Sequence, residues 1–478
     1  MKLEVFTRFT DALDAKIANL QPPPQSHDTP NSNNIKGTCN YRIHGGHKLS
    51  GSITLNASKN AAVALLCASL LNHGVTTFPN FPRIEEVYRI LEVLTSIGVT
   101  TQWTDKNTLE IRRPKILSLS NLNETAACKT RSILMLIGAL VHEYDEFEIP
   151  SPGGCELGER SISPHIHTFQ EFGISIHPHE NHKHYKISTI SKRAPGEITL
   201  YESGNTVTNN AILAAACIKD EETYIQAASA DYMVQDLCYF LRSLGVQIEG
   251  IGTPLLRIRG VGKIKRNVKY TPTEDPIEAM FFICAAVTTD SEITIRRVPF
   301  RWISLELLKL KKMGLRYTLS KPYKAHNGET DLANLTIQPH NGNLRALTDK
   351  IHANPWPGLN PDNLPYFLPI AACATGRTLI HDWMYESRAG YYTHLGSLGV
   401  DVETLDQHRV YVHGPSKLVS GGEMSCPPAL RPASCLLVGM LGASGMSVLK
   451  GVYTVKRGYE DLEGRLGSLG ARIEVFYD

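Results

Sequence analysis

Six times along this chain a segment with helical periodicity runs into a glycine and then into an alternating strand. The instances are "LEVLTSIGVTTQW" (Gly98), "HTFQEFGISIHP" (Gly173), "YFLRSLGVQIEG" (Gly245), "LLKLKKMGLRYT" (Gly314), "THLGSLGVDVET" (Gly399) and "GRLGSLGARIEV" (Gly470). Glycine at the point where period 3.6 gives way to period two is a helix C-cap. Successive glycines lie 69 to 85 residues apart. That is too long for a solenoid unit of about 20–50 residues and suits a small module with both helix and strands. The expected fold is therefore α/β (α+β), with six modules grouped as two pseudo-threefold domains. Segments such as "NNAILAAACI" and "RPASCLLVGML" are apolar on all sides and read as helices buried in a domain's centre.

Length agrees, since 478 residues allow two or three domains. A net charge of +2 gives no reason to expect nucleic acid or a membrane surface. No apolar run reaches the ~18 residues needed to span a bilayer. The run "RIRGVGKIKRNVK", Arg257 to Lys269, reads as a solvated hairpin. Ten cysteines stand singly with no metal-ligand spacing, which suits reduced thiols in a cytoplasm. At the N-terminus Phe6, Phe9, Leu13, Ile17 and Leu20 mark an amphipathic helix, stopped by Pro22, Pro23 and Pro24. Residues 1–38 are thus expected as that helix and a disordered linker, "QSHDTPNSNNIKG".

One stretch asks for chemistry. In "PSPGGCELGER", Pro150 to Arg160, two glycines lead into Cys155, with Arg160 close behind. A cation beside a thiol lowers its pKa and can hold an anionic substrate. A polar turn whose cysteine is incidental fits the same letters.

The modules, this loop and several other motifs together resemble the enolpyruvyl transferase family, from about Tyr41 to Asp478. The motifs are "IHGGHKLSGSITLNASKNAA", "TRSILMLIGALV" ahead of "PGGCELGER", "NPDNLPYFLPIA", "MYESRAGY", "ALRPASCLLVGML" and "VKRGYEDLEGRLGSLGA". Each is weak alone; their order and spacing carry the likeness. It implies a two-domain inside-out α/β barrel with three βαβαββ-like repeats per domain, helices inside and sheets outside. One domain would comprise residues 39–57 plus 275–478, the other residues 58–274 with the cysteine loop, and the active site would lie between them.

The resemblance also implies the reaction. The enolpyruvyl group of phosphoenolpyruvate moves to a hydroxyl of UDP-N-acetylglucosamine, as in peptidoglycan precursor synthesis, and phosphate leaves. Addition and elimination need a proton delivered and a proton removed. Cys155 matches the residue that protonates the methylene carbon, and Asp362 the carboxylate that activates the acceptor. Taken by itself, Asp362 also suits a plain turn between Pro361 and Asn363. Lys59, Arg160 and Arg457 match the phosphate-side cations, Arg388 and Arg431 those toward the carboxylate, and Arg131 a further arginine of the site. Arginine's planar fork pairs bidentately with such oxyanions. Asn60, Ser163, Thr206 and Asp362 fall on the acceptor side. Neither a metal nor an organic cofactor is called for, because the phosphate is already a leaving group. The histidines of "IHPHENHKH" (His177, His179, His182, His184) read as a hairpin turn rather than a metal site.

The chain departs from the family where the nucleotide should sit. Ser161 and Ser163 stand where the family has Pro and Asp after its loop arginine. Gly204, Asn205 and Thr206 replace a Ser-Val-Gly turn, and Ala230 to Tyr232 replace Glu-Pro-Glu. Three expectations follow: transfer to UDP-N-acetylglucosamine, the same transfer to another nucleotide, nucleoside or sugar, and a non-catalytic paralogue. Intact Lys59, Cys155, Asp362, Arg388 and Arg431 count against the last.

Overall fold

In a computed structural model the described residues are 37–153, 161–179 and 183–478. The expected N-terminal helix and linker, and with them Cys155, Arg160 and His182, lie outside the described residues.

Each of the six glycines takes a left-handed φ, from +71° at Gly173 to +100° at Gly245 and Gly314. That region is open to glycine and strained for other residues, so the helix can turn there into a strand at once. Five of the six also show the closing bond of a Schellman cap. Val99 N donates to Leu94 O at 3.0 Å, Val246 N to Leu241 O at 3.1 Å and Leu315 N to Leu310 O at 3.0 Å. Val400 and Ala471 repeat the pattern at 3.2 and 3.1 Å. Val99, Val246, Leu315 and Val400 are buried, so each cap seats an apolar side chain under its helix.

The fold is mixed α/β, with six sheets among the described residues. Five share one order: an edge strand, a central strand parallel to it, then two antiparallel strands. In the first this order is Val268–Lys269, Val75–Phe78, Leu109–Arg112 and Thr100–Trp103. Gly196–Thr199, Glu222–Gln226, Leu255–Arg259 and Gln247–Glu249 repeat it. So do Ser52–Thr54, Ile293–Val298, Asp331–Ile337 and Tyr317–Leu319. Ile351–His352, Gly376–His381, Arg409–Gly414 and Asp401–Thr404 form the fourth. In the fifth, Glu423–Ser425 and Gly445–Lys450 are followed by Cys39–Gly45 and Arg472–Tyr477. The sixth has three strands: Glu146–Pro150, His184–Thr189 and Ile174–Pro178. Two of its strands, Ile174–Pro178 and His184–Thr189, run antiparallel with His177 opposite Lys186 and flank the histidine-rich stretch.

The basic run Arg257 to Lys269 is not one hairpin. Arg257 lies in a strand that pairs with Glu222–Gln226, whereas Val268 pairs with Thr76 in another sheet. Asn72 separates the two, because its side chain holds both the N–H and the carbonyl of Arg266. The charges on Arg257 are taken up locally by Glu222 at 2.8 Å and Glu249 at 3.1 Å.

The helices Pro276–Thr288 and Leu430–Gly442 pack against each other and are buried along nearly their whole length. Lys59–Ser69 and Asn205–Ala216 are enclosed in the same way. A helix apolar all round is stable only where other elements cover every side. Near the ends of two of these helices the chain runs alongside itself. Ser58 N donates to Thr273 O at 2.8 Å and Asp275 N to Asn56 O at 2.9 Å. Asp275 there caps two helices. Its Oδ1 accepts from Ile277 N at 2.7 Å and Glu278 N at 3.2 Å, and its Oδ2 from Lys59 N at 3.2 Å.

Candidate active site

Those two helix starts bring the charged residues together. Ser58 caps the first by accepting from Ala61 N, which leaves Lys59 and Asn60 at the exposed end of an otherwise apolar rod. A helix N-terminus carries partial positive charge, and a lysine there adds to it. Arg431 is the second residue of the Leu430–Gly442 helix and is only 6% exposed. Its fork donates to Asp362 Oδ2 at 3.1 Å and to Tyr459 OH at 3.1 Å. Asp362 sits in a turn closed by its own N–H donating to Asn360 Oδ1 at 2.8 Å.

Burial alone would raise the pKa of Asp362. Arg431, Arg388 and Lys59, with the Arg431 hydrogen bond, outweigh it and hold the carboxyl below its usual range. The structure thus brings Lys59, Arg388, Arg431 and Asp362 into one electrostatic neighbourhood. Arg388 is completely enclosed and donates to both oxygens of Asp382, at 2.5 and 2.7 Å. Tyr392 OH donates to the same carboxylate, and the Tyr385 ring lies 4.2 Å from the guanidinium. Among the described residues, Arg388 Nη1 has no hydrogen-bond partner. A buried donor left open is costly and marks a place where a ligand oxygen would be welcome.

Arg457 reaches across to the helix Glu85–Ser96 and donates to Glu86 Oε2 at 2.8 and 3.2 Å. Arg131, the first residue of a short 3-10 turn, donates through Nη2 to Ser161 O at 3.0 Å.

Of the acceptor-side residues, Asp362 belongs to this centre and Asn60 adjoins it, its Oδ1 accepting from Lys59 Nζ at 3.4 Å. Asn60 Nδ2 donates to Tyr232 OH at 3.4 Å. Ser163 is exposed and accepts from Ser161 Oγ at 2.7 Å. Thr206, in the first turn of its helix, faces His165 Nε2 at 3.4 Å. His165 is buried, and Asn210 Nδ2 donates to its Nδ1 at 2.9 Å, so Nε2 carries the proton toward Thr206. Burial, helped by the charge of Arg131, pushes its pKa down to about 4. The sign follows: the unfolded ring binds a proton near pH 6.5, and the folded ring resists until about 4. This contribution is complete above pH 6.5 and fades below it, costing about 3 kcal/mol by pH 4. His165→Gln should flatten the stability profile between pH 4 and 6.5, which urea unfolding at several pH values measures directly.

Several residues of the centre escaped the sequence reading. Asp275 carried a signal, since Asp-Pro before an apolar run marks a capped helix with proline in its first turn. Asp231 likewise caps Tyr232–Ser243, and burial raises its pKa to about 6. Glu86 and Asp382 carried none, because their partners are set by tertiary packing. Elsewhere Cys67, Cys217, Cys238, Cys373 and Cys426 are held by burial at a pKa of about 12, which makes them poor nucleophiles.

The chain belongs to the EPSP synthase (3-phosphoshikimate 1-carboxyvinyltransferase) family, whose model matches residues 43–466. Within it, the chain is 31% identical to the UDP-N-acetylglucosamine 1-carboxyvinyltransferase of Bacteroides fragilis, over 91% of this chain and 99% of the relative. The enzyme of that name from Treponema denticola is also 31% identical, with the same coverage of both chains. Among solved structures, the enolpyruvyl transferase NikO from Streptomyces tendae has the same fold, with a TM-score of 0.77 at 23% identity. That match covers 92% of this chain and 100% of NikO. An EPSP synthase from Acinetobacter baumannii follows at 0.67 and 19%, covering 92% and 100%.

Proposed function

We propose that the protein transfers the enolpyruvyl group of phosphoenolpyruvate to a hydroxyl of UDP-N-acetylglucosamine, releasing phosphate. The observation that carries this reading is the near-complete match to relatives bearing that activity's name. The arrangement around Asp362 agrees with it.

The catalytic parts divide as follows. Asp362, kept ionised by Arg431, Arg388 and Lys59, accepts the proton of the attacking hydroxyl. The open Nη1 of Arg388 and the fork of Arg431 take the substrate carboxylate. Lys59 and Arg457, with Arg131 and Arg160, take the phosphate. Cys155 delivers a proton to the methylene carbon. No step calls on a metal or an organic cofactor.

Residues 39–57 with 275–478 form one domain of this reading and residues 58–274 the other, each an inside-out barrel. Three sheets drawn from each part of the chain, around helices buried along their length, support that division. Lys59 then belongs to one domain, and Asp362 and Arg431 to its partner.

A second acceptor is favoured by specific contacts. Ser163 and Thr206 are engaged by Ser161 and His165, and Tyr232 OH stands against Asn60. These occupy the nucleotide side while the charged centre is kept, as transfer to a different nucleotide, nucleoside or sugar would need.

The test is phosphate release from phosphoenolpyruvate with a panel of UDP-sugars, nucleosides and nucleotides. UDP-N-acetylglucosamine should give the highest kcat/KM. A higher value for another acceptor selects the second reading, and no release with any of them overturns both.

A further inference from the structure

Glu86 is a buried carboxylate placed among cations that the reaction needs for phosphate. Its side chain is 4% exposed. Oε2 accepts two N–H groups of Arg457, at 2.8 and 3.2 Å, and Oε1 accepts from Thr130 Oγ1 at 2.5 Å. Burial opposes its charge, but Lys59 and Arg457, with the bonds from Thr130 and Arg457, hold its pKa below the usual value. Thr130 does two jobs there. Its oxygen also accepts from Ser132 N at 3.2 Å, which starts the turn whose first residue is Arg131. One carboxylate therefore binds Arg457 directly, lies within the electrostatic influence of Lys59 and, through Thr130, supports the turn that carries Arg131. The neighbouring Glu85 is spent otherwise, on Arg89 at 3.3 Å.

We propose that Glu86 is a positioning residue that acts as an internal stand-in for phosphate: it holds Arg457 in place while the site is empty, and competes with the phosphoryl group for it. This rests on the phosphate-side assignment of Arg457 given above.

The geometry supports the exchange. A carboxylate and a phosphate present the same pair of oxygens to an arginine fork, so one can replace the other on Arg457. Thr130 keeps Glu86 where it is when Arg457 turns away. The carboxylate then lies beside a dianion inside the protein, where like charges repel strongly. That repulsion weakens the hold on substrate phosphate, and it equally weakens the hold on the phosphate that must leave after elimination. Glu86 thereby favours release of product, and tight capture is given up in exchange.

The expected sign is opposite to that of losing an ordinary contact. Glu86→Gln keeps the shape and removes the charge, so inorganic phosphate should bind at least tenfold more tightly. As a product inhibitor of turnover, phosphate should become more potent by a similar factor, with kcat reduced. Glu86→Asp keeps the charge and should hold the phosphate constant within about threefold of the wild type. Thr130→Val keeps the charge but removes its hydroxyl partner, leaving the carboxylate to compete harder for Arg457. That variant should bind phosphate two- to fivefold more weakly.

Calorimetry with inorganic phosphate on the full chain reads all three constants without any acceptor, and melting curves establish that each variant is folded. If Glu86→Gln leaves phosphate affinity unchanged or lowers it, the proposal is overturned. If that variant does not fold, Thr130→Val decides: unchanged or tighter phosphate binding overturns the proposal. Failure of the transfer reading shows elsewhere, as absent phosphate release by the wild type with every acceptor.

Discussion

Arg431→Ala should lower kcat/KM for phosphoenolpyruvate by about 10²–10³-fold, the usual cost of removing a preorganised charge from the reacting centre. It should also destabilise the fold. Arg431 is nearly enclosed, and two of its donors are used on Asp362 and Tyr459. Without it, Asp362 loses the strongest influence keeping it ionised, and Asp275 loses the largest charge that offsets its burial. Removing one partner of a buried pair leaves an uncompensated charge, a loss of about 3–5 kcal/mol. Arg431→Lys restores the charge without the fork, so it should recover most of the stability and only part of the turnover. Acceptor affinity, measured by calorimetry, should change less than fivefold. If acceptor binding collapses while phosphoenolpyruvate kinetics hold, Arg431 belongs to the other substrate.

A second large effect is expected at Asp382. This carboxylate and Arg388 are both fully buried, and the guanidinium meets it through two donors. Asp382→Asn keeps the volume but strands a buried cation, so about 3–5 kcal/mol should be lost. In a chain of this size that corresponds to roughly a 3–5 °C fall in Tm. The same change frees Arg388 from the orientation that leaves Nη1 open, so KM for phosphoenolpyruvate should rise as well. A variant that melts with the wild type would show that Asp382 does not hold the pair together.

Much of the backbone plan was readable before any coordinates. The six glycines announce themselves because a C-cap is a local event, decided by neighbours within five residues. The same locality made Asp275 and Asp231 readable in principle as caps. Lys59, Asp362, Arg388, Arg431 and Arg457 came from motif likeness, since no single one of them stands out from a solvated surface charge. What remained hidden is long-range. Glu86 meets Arg457 across 371 residues, and Lys59 N meets Asp275 across 216. Nothing near Glu86 distinguishes it from Glu85, which faces its own helix instead. The basic run failed for the opposite reason. Its charges suggested one solvated unit, but the fate of Lys265 to Lys269 was decided by the side chain of Asn72, far upstream.

The strand Cys39–Gly45 fills the centre of its sheet, between Gly445–Lys450 and Arg472–Tyr477. Thr38 and Asp478 close it by exchanging backbone bonds at 2.8 and 3.4 Å. Its cap, helix and parallel edge all come from the far end of the polypeptide. On a ribosome this strand emerges well before the partners it needs, Gly445–Lys450 and Arg472–Tyr477. Closing a loop of that length costs only modestly more than closing a short one, because the entropy grows with the logarithm of length. The delay is in time. For most of synthesis Tyr41 and Ile43, fully buried at the end, are exposed on an unpaired β segment able to pair with another nascent chain. Among the described residues this sheet is therefore completed last, because its first and final strands are Cys39–Gly45 and Arg472–Tyr477.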